Sequence, residues 1–417
     1  MTASNTHGRP QPAGGPDPAA AAGPRRRTVL LSGLLGAGAG VAAGAGAAVA
    51  VERSRPEPDA RLVAARTTAR PFRGTHQAGV LEAPPPYAAF VALDLADGAD
   101  RDAVRRLLTV WTDDIERLMA GRGTLTDLEP ELAAVPASLT VTVGVGPRVV
   151  GLAGAEAPDW LAPLPAFPQI DRLEDAWSDG DLLLQVCADS PTTVAHAGRR
   201  LTTAVADLAT VRWVQRGFRE PFEGPGVPMR NLLGQVDGTV QPDVTGLDAD
   251  LLWVGDDGPA WLRGGSSVVV RRIGMRLDDW DRVDRASREN AVGRRLDTGA
   301  PVTGGTIDTA ADLDATDELG FHVVDDAAHL RRAHATAPHE RFLRRPYSYD
   351  DGQGGDAGSG LVFVAYQADP VRQFVPVQQR LAEMDLLNLW TVPVGSAVFA
   401  VLPGARDGEV LGEAMFA

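Results

Sequence analysis

Residues 325–349 concentrate the side chains best suited to chemistry: three of the seven histidines (His329, His334 and His339) and five arginines fall within them. Asp325 and Asp326 have the character of helix N-caps, residues 327–333 favour a helix, and Pro338 would stop it. Arg344-Arg345-Pro346-Tyr347-Ser348-Tyr349 then returns as an arginine-led, aromatic turn or strand. An imidazole presented by a short helix, with guanidinium groups following, suits a metal ligand placed beside a charge-stabilising cation. A solvated helix with water-facing arginines and incidental histidines would use the same residues.

Spacing narrows the choice of metal. His329, His334 and His339 stand five residues apart, which spreads them around a helix instead of lining one face. Cys187 is the only cysteine, so a closed zinc cage finds no ligand set, and a single axial histidine to a haem iron fits the segment better. A second stretch, Gly234-Gln235-Val236-Asp237-Gly238-Thr239, follows a Gly224-Pro225-Gly226 turn. On its own, Asp-Gly most often marks a hairpin turn.

The elements that must position these groups can be read from periodicity. In the first half, residues 87–95 alternate as a strand, and residues 100–118 place Val104, Leu107, Leu108, Trp111, Ile115 and Leu118 at helical spacing. Strands at 139–145 and 181–188, a helix at 192–208 and a strand ending at Phe218 complete a ferredoxin-like order. The second half echoes it: strand 266–275, helix 278–293, strand 361–366, helix 374–387 and strand 396–402, after which the chain ends without a docking tail. The expected fold class is α+β, with two ferredoxin-like domains (71–223 and 224–417), each an antiparallel sheet with packed helices.

At 417 residues the chain can bury two sizeable cores. Its net charge of −15 leaves no basic surplus for phosphates, which excludes nucleic acid as a partner. All 40 basic residues are arginine; there is no lysine. One cysteine excludes an intramolecular disulfide. Residues 1–24 are polar and rich in Pro and Gly, and Arg25-Arg26-Arg27 precedes a mild Ala/Gly-rich apolar run. That is the pattern of a Tat-type signal over residues 1–50, with Ala48-Val49-Ala50 as a small-residue cleavage site and 51–70 as a charged linker. The same run of about 20 apolar residues could instead be retained as an anchor.

Taken in order, the motifs carry a specific resemblance. Gly234-x-x-Asp237-Gly238, His329-Leu330-Arg331-Arg332-Ala333 and the Arg344 segment resemble the dye-decolorising peroxidases, a family of haem enzymes with two ferredoxin-like domains. Gly74-x-His76-Gln77-Ala78-Gly79, Gly299-Ala300-Pro301 and residues 360–367 match as well, so the likeness covers residues 70–417. It implies one haem b, held mainly by the C-terminal domain, with His329 as the ligand of its iron. Asp385 matches the position of an acceptor for the other imidazole N–H, or else is a surface aspartate at a helix end. Asp237 would move a proton between the oxygens of hydrogen peroxide, and Arg344 would stabilise the charge and keep Asp237 ionised. That requirement implies activity on the acidic side of neutral. Gly238, Thr239, Arg294 and Phe363 would line the haem, Arg294 at a propionate; His76, His196 and His322 are expected to be structural.

The chain departs from the family pattern in three places: His334-Ala335-Thr336 replaces Asn-Pro-Arg, Pro346 stands where glycine is usual, and Thr239-Val240-Gln241-Pro242 replaces T-A-N-P. Bulky dyes and phenolics would be oxidised by one-electron steps through a surface aromatic, with Tyr347, Tyr349, Tyr366 and Trp390 as candidates. The resemblance therefore implies a Tat-exported haem peroxidase, extracellular or associated with the cell envelope. Its partners would be hydrogen peroxide, a reducing substrate and the Tat translocase; a homo-oligomer is compatible. A rival implication is deferrochelatase-like release of iron from haem, with iron-uptake partners.

Overall fold

Alternating apolar residues in the first predicted strand and a helical apolar stripe after it set the architecture of the N-terminal half. The computed structural model describes residues 67–219, 228–352 and 355–417. The export segment, most of the linker and the Gly224-Pro225-Gly226 turn lie outside these. Strand β1 (Tyr87–Leu95) leads into helix α1 (Arg101–Met119), and β2 (Thr140–Val145) runs into α2 (Pro147–Ala153). Then come β3 (Leu182–Ala188), α3 (Pro191–Thr203) and β4 (Ala209–Phe218). Asp100 caps α1 by accepting from the Ala103 N–H at 2.8 Å, an interaction that contributes about 1 kcal/mol. All six apolar positions named for this helix are buried against β1, β2 and β3.

The C-terminal half opens with a small ribbon, β5 (Met229–Arg230) and β6 (Val236–Asp237), followed by the short helix α4 (Ala249–Leu252). Strand β7 (Ser266–Met275), helices α5 (Leu277–Trp280) and α6 (Arg285–Val292), and the single turn α7 (His329–Arg332) follow. The chain continues through β8 (Leu343–Arg344), β9 (Tyr347–Asp350), β10 (Ser359–Gln367), α8 (Pro370–Met384) and β11 (Thr391–Val401). The strand orders are β2-β3-β1-β4 and β11-β7-β10-β9, the ferredoxin-like arrangement in both halves. The two sheets do not stay separate. β11 pairs with β2 at one edge, and Phe218 of β4 pairs with Ser348 of β9 at the other, so nine strands join in one sheet that closes through β7–β10, with β8 left outside the ring. Inside this closed sheet Phe90, Leu183, Cys187, Val270, Tyr347, Val364 and Phe399 form a shared core.

Four local expectations need correction. The helix expected at 278–293 is two pieces, because the Asp284 carboxylate accepts from Ser287 N–H and starts α6 afresh; Gly293, at φ +83°, ends it. The helix at 192–208 stops at Thr203 and closes with turns, among them Leu208 N–H to Val205 O at 2.8 Å. Around His329 only one helical turn forms, with Ala328 as its uncapped start, since Asp325 spends its carboxylate on Ala327 N–H one turn earlier. The chain also has a docked tail. Leu402, Leu411 and Met415 are buried with α1, Leu411 N–H donates to Thr112 Oγ1 at 3.0 Å, and Arg101 holds Phe416 O at 2.7 Å. Among the described residues no helix is long and apolar enough to cross a membrane.

Because Leu411 is 1 % exposed, Leu411→Ala is expected to lower unfolding free energy by about 2–5 kcal/mol in urea titration. A tail lying free in solvent would give no change.

Candidate active site

The period-2 geometry of strands puts one apolar face of the C-terminal sheet toward the shared core and the other toward a cavity of about 450 Å³. On β10, Val362, Val364 and Tyr366 turn inward, while Leu361 and Phe363 turn to the cavity, joined there by Ile273 and Met275 of β7. Helix α8 lies opposite, with Phe374, Val377 and Leu381 on the facing stripe. Of the lining residues only Ile170 comes from the N-terminal half. Asp237, Gly238, Thr239, Arg294, His329, Arg344, Phe363 and Asp385, all singled out from sequence, line this one cavity.

His329 stands at the first position of α7, and Asp385 ends α8. Their side chains meet with Nδ1 and Oδ2 2.6 Å apart. A carboxylate can only accept, so Nδ1 carries the proton and Nε2 is left as the nitrogen available to the cavity. Asp385 is buried, not a surface aspartate, and its other oxygen accepts from Leu387 N–H at 2.9 Å. Leu386 N–H bonds Ala327 O at 2.9 Å, tying the two chain segments together just beside the pair. Burial pulls the imidazole pKa down, but Asp385 more than offsets this through its charge and hydrogen bond, and the net value is raised. Asp237 adds to the rise and Arg344 opposes it.

On the other side of the cavity, Asp-Gly is not the hairpin turn. The β5–β6 ribbon turns at residues 231–235, Asp237 is paired with Met229 at the ribbon's end, and Gly238 follows at φ +84°. Few residues other than glycine adopt that conformation. Arg344 faces the cavity, whereas Arg345 faces the core, where it donates to the carbonyls of Val80 and Glu82. Alternation along the strand forces the neighbours apart: 343, 345, 347 and 349 are all on the inner side. The Arg344 guanidinium donates to Val240 O at 2.7 Å, and no ion pair joins it to Asp237 among the described residues.

Arg294 is buried and donates to Gly299 O at 2.7 Å, and no carboxylate pairs with it among the described residues. Burial, then the like charge of Arg344, lowers its pKa. A buried cation lacking an anion, a histidine with one nitrogen oriented by a carboxylate, and apolar walls form a donor set that fits a haem with its carboxylates. Phe363 stacks edgewise on Phe342 and tilts against Phe374, with centroids 6.4 and 5.8 Å apart, which stiffens that wall.

The sequence reading missed Gln241 and the α8 stripe as parts of the site. The stripe showed only as helical amphipathicity, and Gln241 stood out only as part of the Thr239–Pro242 departure from the family pattern. At the departures from the family pattern, His334 and Ala335 do line the cavity, and Thr336 instead holds Glu340. Tyr347, Tyr349 and Tyr366 are at most 1 % exposed and cannot serve as surface aromatics, whereas Trp390 is half-buried and packs edge-on to Trp280 at 5.0 Å. His76 stacks on Trp253 at 3.6 Å, His196 pairs with Asp127 and His322 with Asp326, and none of the three lines the cavity.

Comparison with known proteins places both halves of the described chain in one family. Residues 77–219 match the N-terminal and residues 228–406 the C-terminal family profile of Dyp-type peroxidases. A dye-decolorizing peroxidase of Thermobifida fusca is 39% identical over 380 residues, covering 86% of this chain and 86% of the relative. A deferrochelatase of Escherichia coli is 35% identical over 378 residues, covering 84% and 88%. The crystal structure of a DyP-type peroxidase from Cellulomonas bogoriensis superimposes with a TM-score of 0.80 at 54% identity, covering 84% of this chain and 99% of that one.

The His329–Asp385 pair makes a pH-dependent contribution to the stability of the haem-free protein. A raised folded-state pKa means the contribution is complete below the ordinary imidazole value of 6.5 and fades as pH rises through the folded value. Asp385→Asn should therefore cost more stability at about pH 5.5 than at about pH 9 in urea unfolding. An equal loss at both would mean that the pair carries no charge.

Proposed function

The chain belongs to the Dyp-type peroxidase family and is a haem peroxidase; from that premise we propose that His329 ligates a haem b in the C-terminal cavity while Asp237 and Arg344 act on hydrogen peroxide. The observation that carries this reading is the convergence of the Asp385-oriented imidazole with Asp237 and Arg344 on one apolar cavity. Haem supplies the iron at which peroxide is reduced and from which two oxidising equivalents pass singly to a reductant. Everything else falls to side chains. Asp237, if ionised, takes a proton from one peroxide oxygen and returns it to the other, which leaves as water. The Arg344 guanidinium stabilises the negative charge that develops as the O–O bond lengthens. Asp385 makes the His329 imidazole more electron-donating and fixes its orientation. Arg294 pairs with a haem carboxylate, and Phe363 excludes water from the face it covers.

Bulky phenols and dyes are too large for a cavity walled in this way, so they would give up electrons at the surface. Trp390, half-buried and packed on Trp280, is the candidate that exposure supports. Export through the Tat route, to the cell envelope or beyond it, rests on Arg25-Arg26-Arg27 and the apolar run that follows. The deferrochelatase relative favours a second reading, in which the same cavity releases iron from haem. Product analysis separates the two: oxidised reductant with intact haem for the first, iron-free porphyrin for the second.

Stopped-flow mixing of the haem-loaded protein with stoichiometric peroxide tests the assignment. The second-order rate constant should fall by about a hundred- to a thousandfold in Arg344→Ala and in Asp237→Ala. Rates close to the parent in both variants would remove these residues from the reaction.

A further inference from the structure

Strand β8 is the open edge of the sheet. Arg345 N–H bonds Val364 O of β10 at 2.9 Å, so by the alternation of an antiparallel ladder the N–H and C=O of Arg344 point away from β10, where no strand follows. The side chain of Gln241 takes the place of that strand. Its Oε1 accepts from Arg344 N–H at 3.0 Å and its Nε2 donates to Arg344 O at 2.9 Å, the two-point pairing a neighbouring backbone would make. One residue earlier, Val240 O accepts from the Arg344 guanidinium at 2.7 Å. Arg344 is thus held at three atoms by two consecutive residues.

Those two residues follow Asp237 by a short, constrained connection. Gly238 is left-handed, and a Cβ there would lie 3.5 Å from Gln241 Nε2, so the backbone passes beside the carboxamide. Pro242 is buried and fixes the chain after it. With no ion pair between Arg344 and Asp237, the segment 238–241 is the connection that sets their relative position. We infer that Gln241 is a positioning residue for the peroxide reaction, its carboxamide fixing the Arg344 guanidinium relative to Asp237. The inference rests on the peroxidase reading.

Gln241→Ala and Gln241→Glu test it, the second keeping an acceptor for Arg344 N–H while presenting no donor to Arg344 O. Three quantities are measured: hydrogen exchange over residues 343–345, fluoride affinity of the ferric haem-loaded protein, and the rate constant for peroxide. In Gln241→Ala, exchange at Arg344 should rise several-fold, and peroxide reactivity should drop on the order of ten- to a hundredfold. Fluoride affinity should fall in parallel, at unchanged haem content and Tm, with Gln241→Glu falling between the parent and Ala. Faster exchange with peroxide and fluoride behaviour within twofold of the parent would reduce Gln241 to an edge cap of the sheet. Unchanged exchange would overturn the inference outright. A parent protein inert to peroxide would contradict the peroxidase reading instead, and exchange would still decide whether Gln241 orders Arg344.

Discussion

The 2.6 Å hydrogen bond between His329 and Asp385 is the interaction on which the site depends. Asp385 terminates α8, accepts from Leu387 N–H to start the turn after it, and fixes the tautomer of an imidazole that a single helical turn could not orient alone. Residues 329–332 make too little helix to be stable in isolation, so their geometry is imposed by contacts with α8 and with the loop at Val324, whose carbonyl accepts from Arg331 at 2.8 Å. The charge of Asp385 also lets a histidine lining an apolar cavity hold its proton more tightly than burial alone would allow.

A second constraint is the strand period. Arg344 and Arg345 are identical side chains on adjacent residues, yet one reaches the cavity and the other the core between the sheets. Only the first can meet a substrate. The second ties the closed sheet to the segment 80–82 through two carbonyls, leaving part of its guanidinium unpartnered among the described residues. Chemistry and architecture thus share a dipeptide, and a one-residue register slip of β8 and β9 would exchange their roles. Pairing of Arg344 with Ala365 and of Tyr347 with Val362 on β10 fixes that register.

Apolar, β-branched runs were legible in the sequence to the residue or nearly so, as at Tyr87–Leu95 and Ser266–Met275. Motif residues on separate elements, from the β6 end at Asp237 to Phe363 within β10 and Asp385 at the end of α8, face one cavity. What sequence hid was decided by partners far along the chain. Asp284 restarts a helix that periodicity alone would continue, and the tail after Val401 docks because α1 leaves an apolar surface for Leu411 and Met415. Burial of Tyr347, Tyr349 and Tyr366 follows from closure of the two sheets into one, which no local pattern announces. The role of Gln241, noticed only as a departure from the family pattern, is hidden because its partner is the backbone of Arg344 across the cavity rim.

The central claim is that His329, and none of the other histidines near the cavity, binds the haem iron. Nitrogen hyperfine spectroscopy of the ferric haem-loaded parent, His329→Gly and His334→Gly tests it most directly. Coupling to one histidine nitrogen should be present in the parent and in His334→Gly, absent in His329→Gly, and restored there by added imidazole. Coupling that survives in His329→Gly without imidazole would contradict the account.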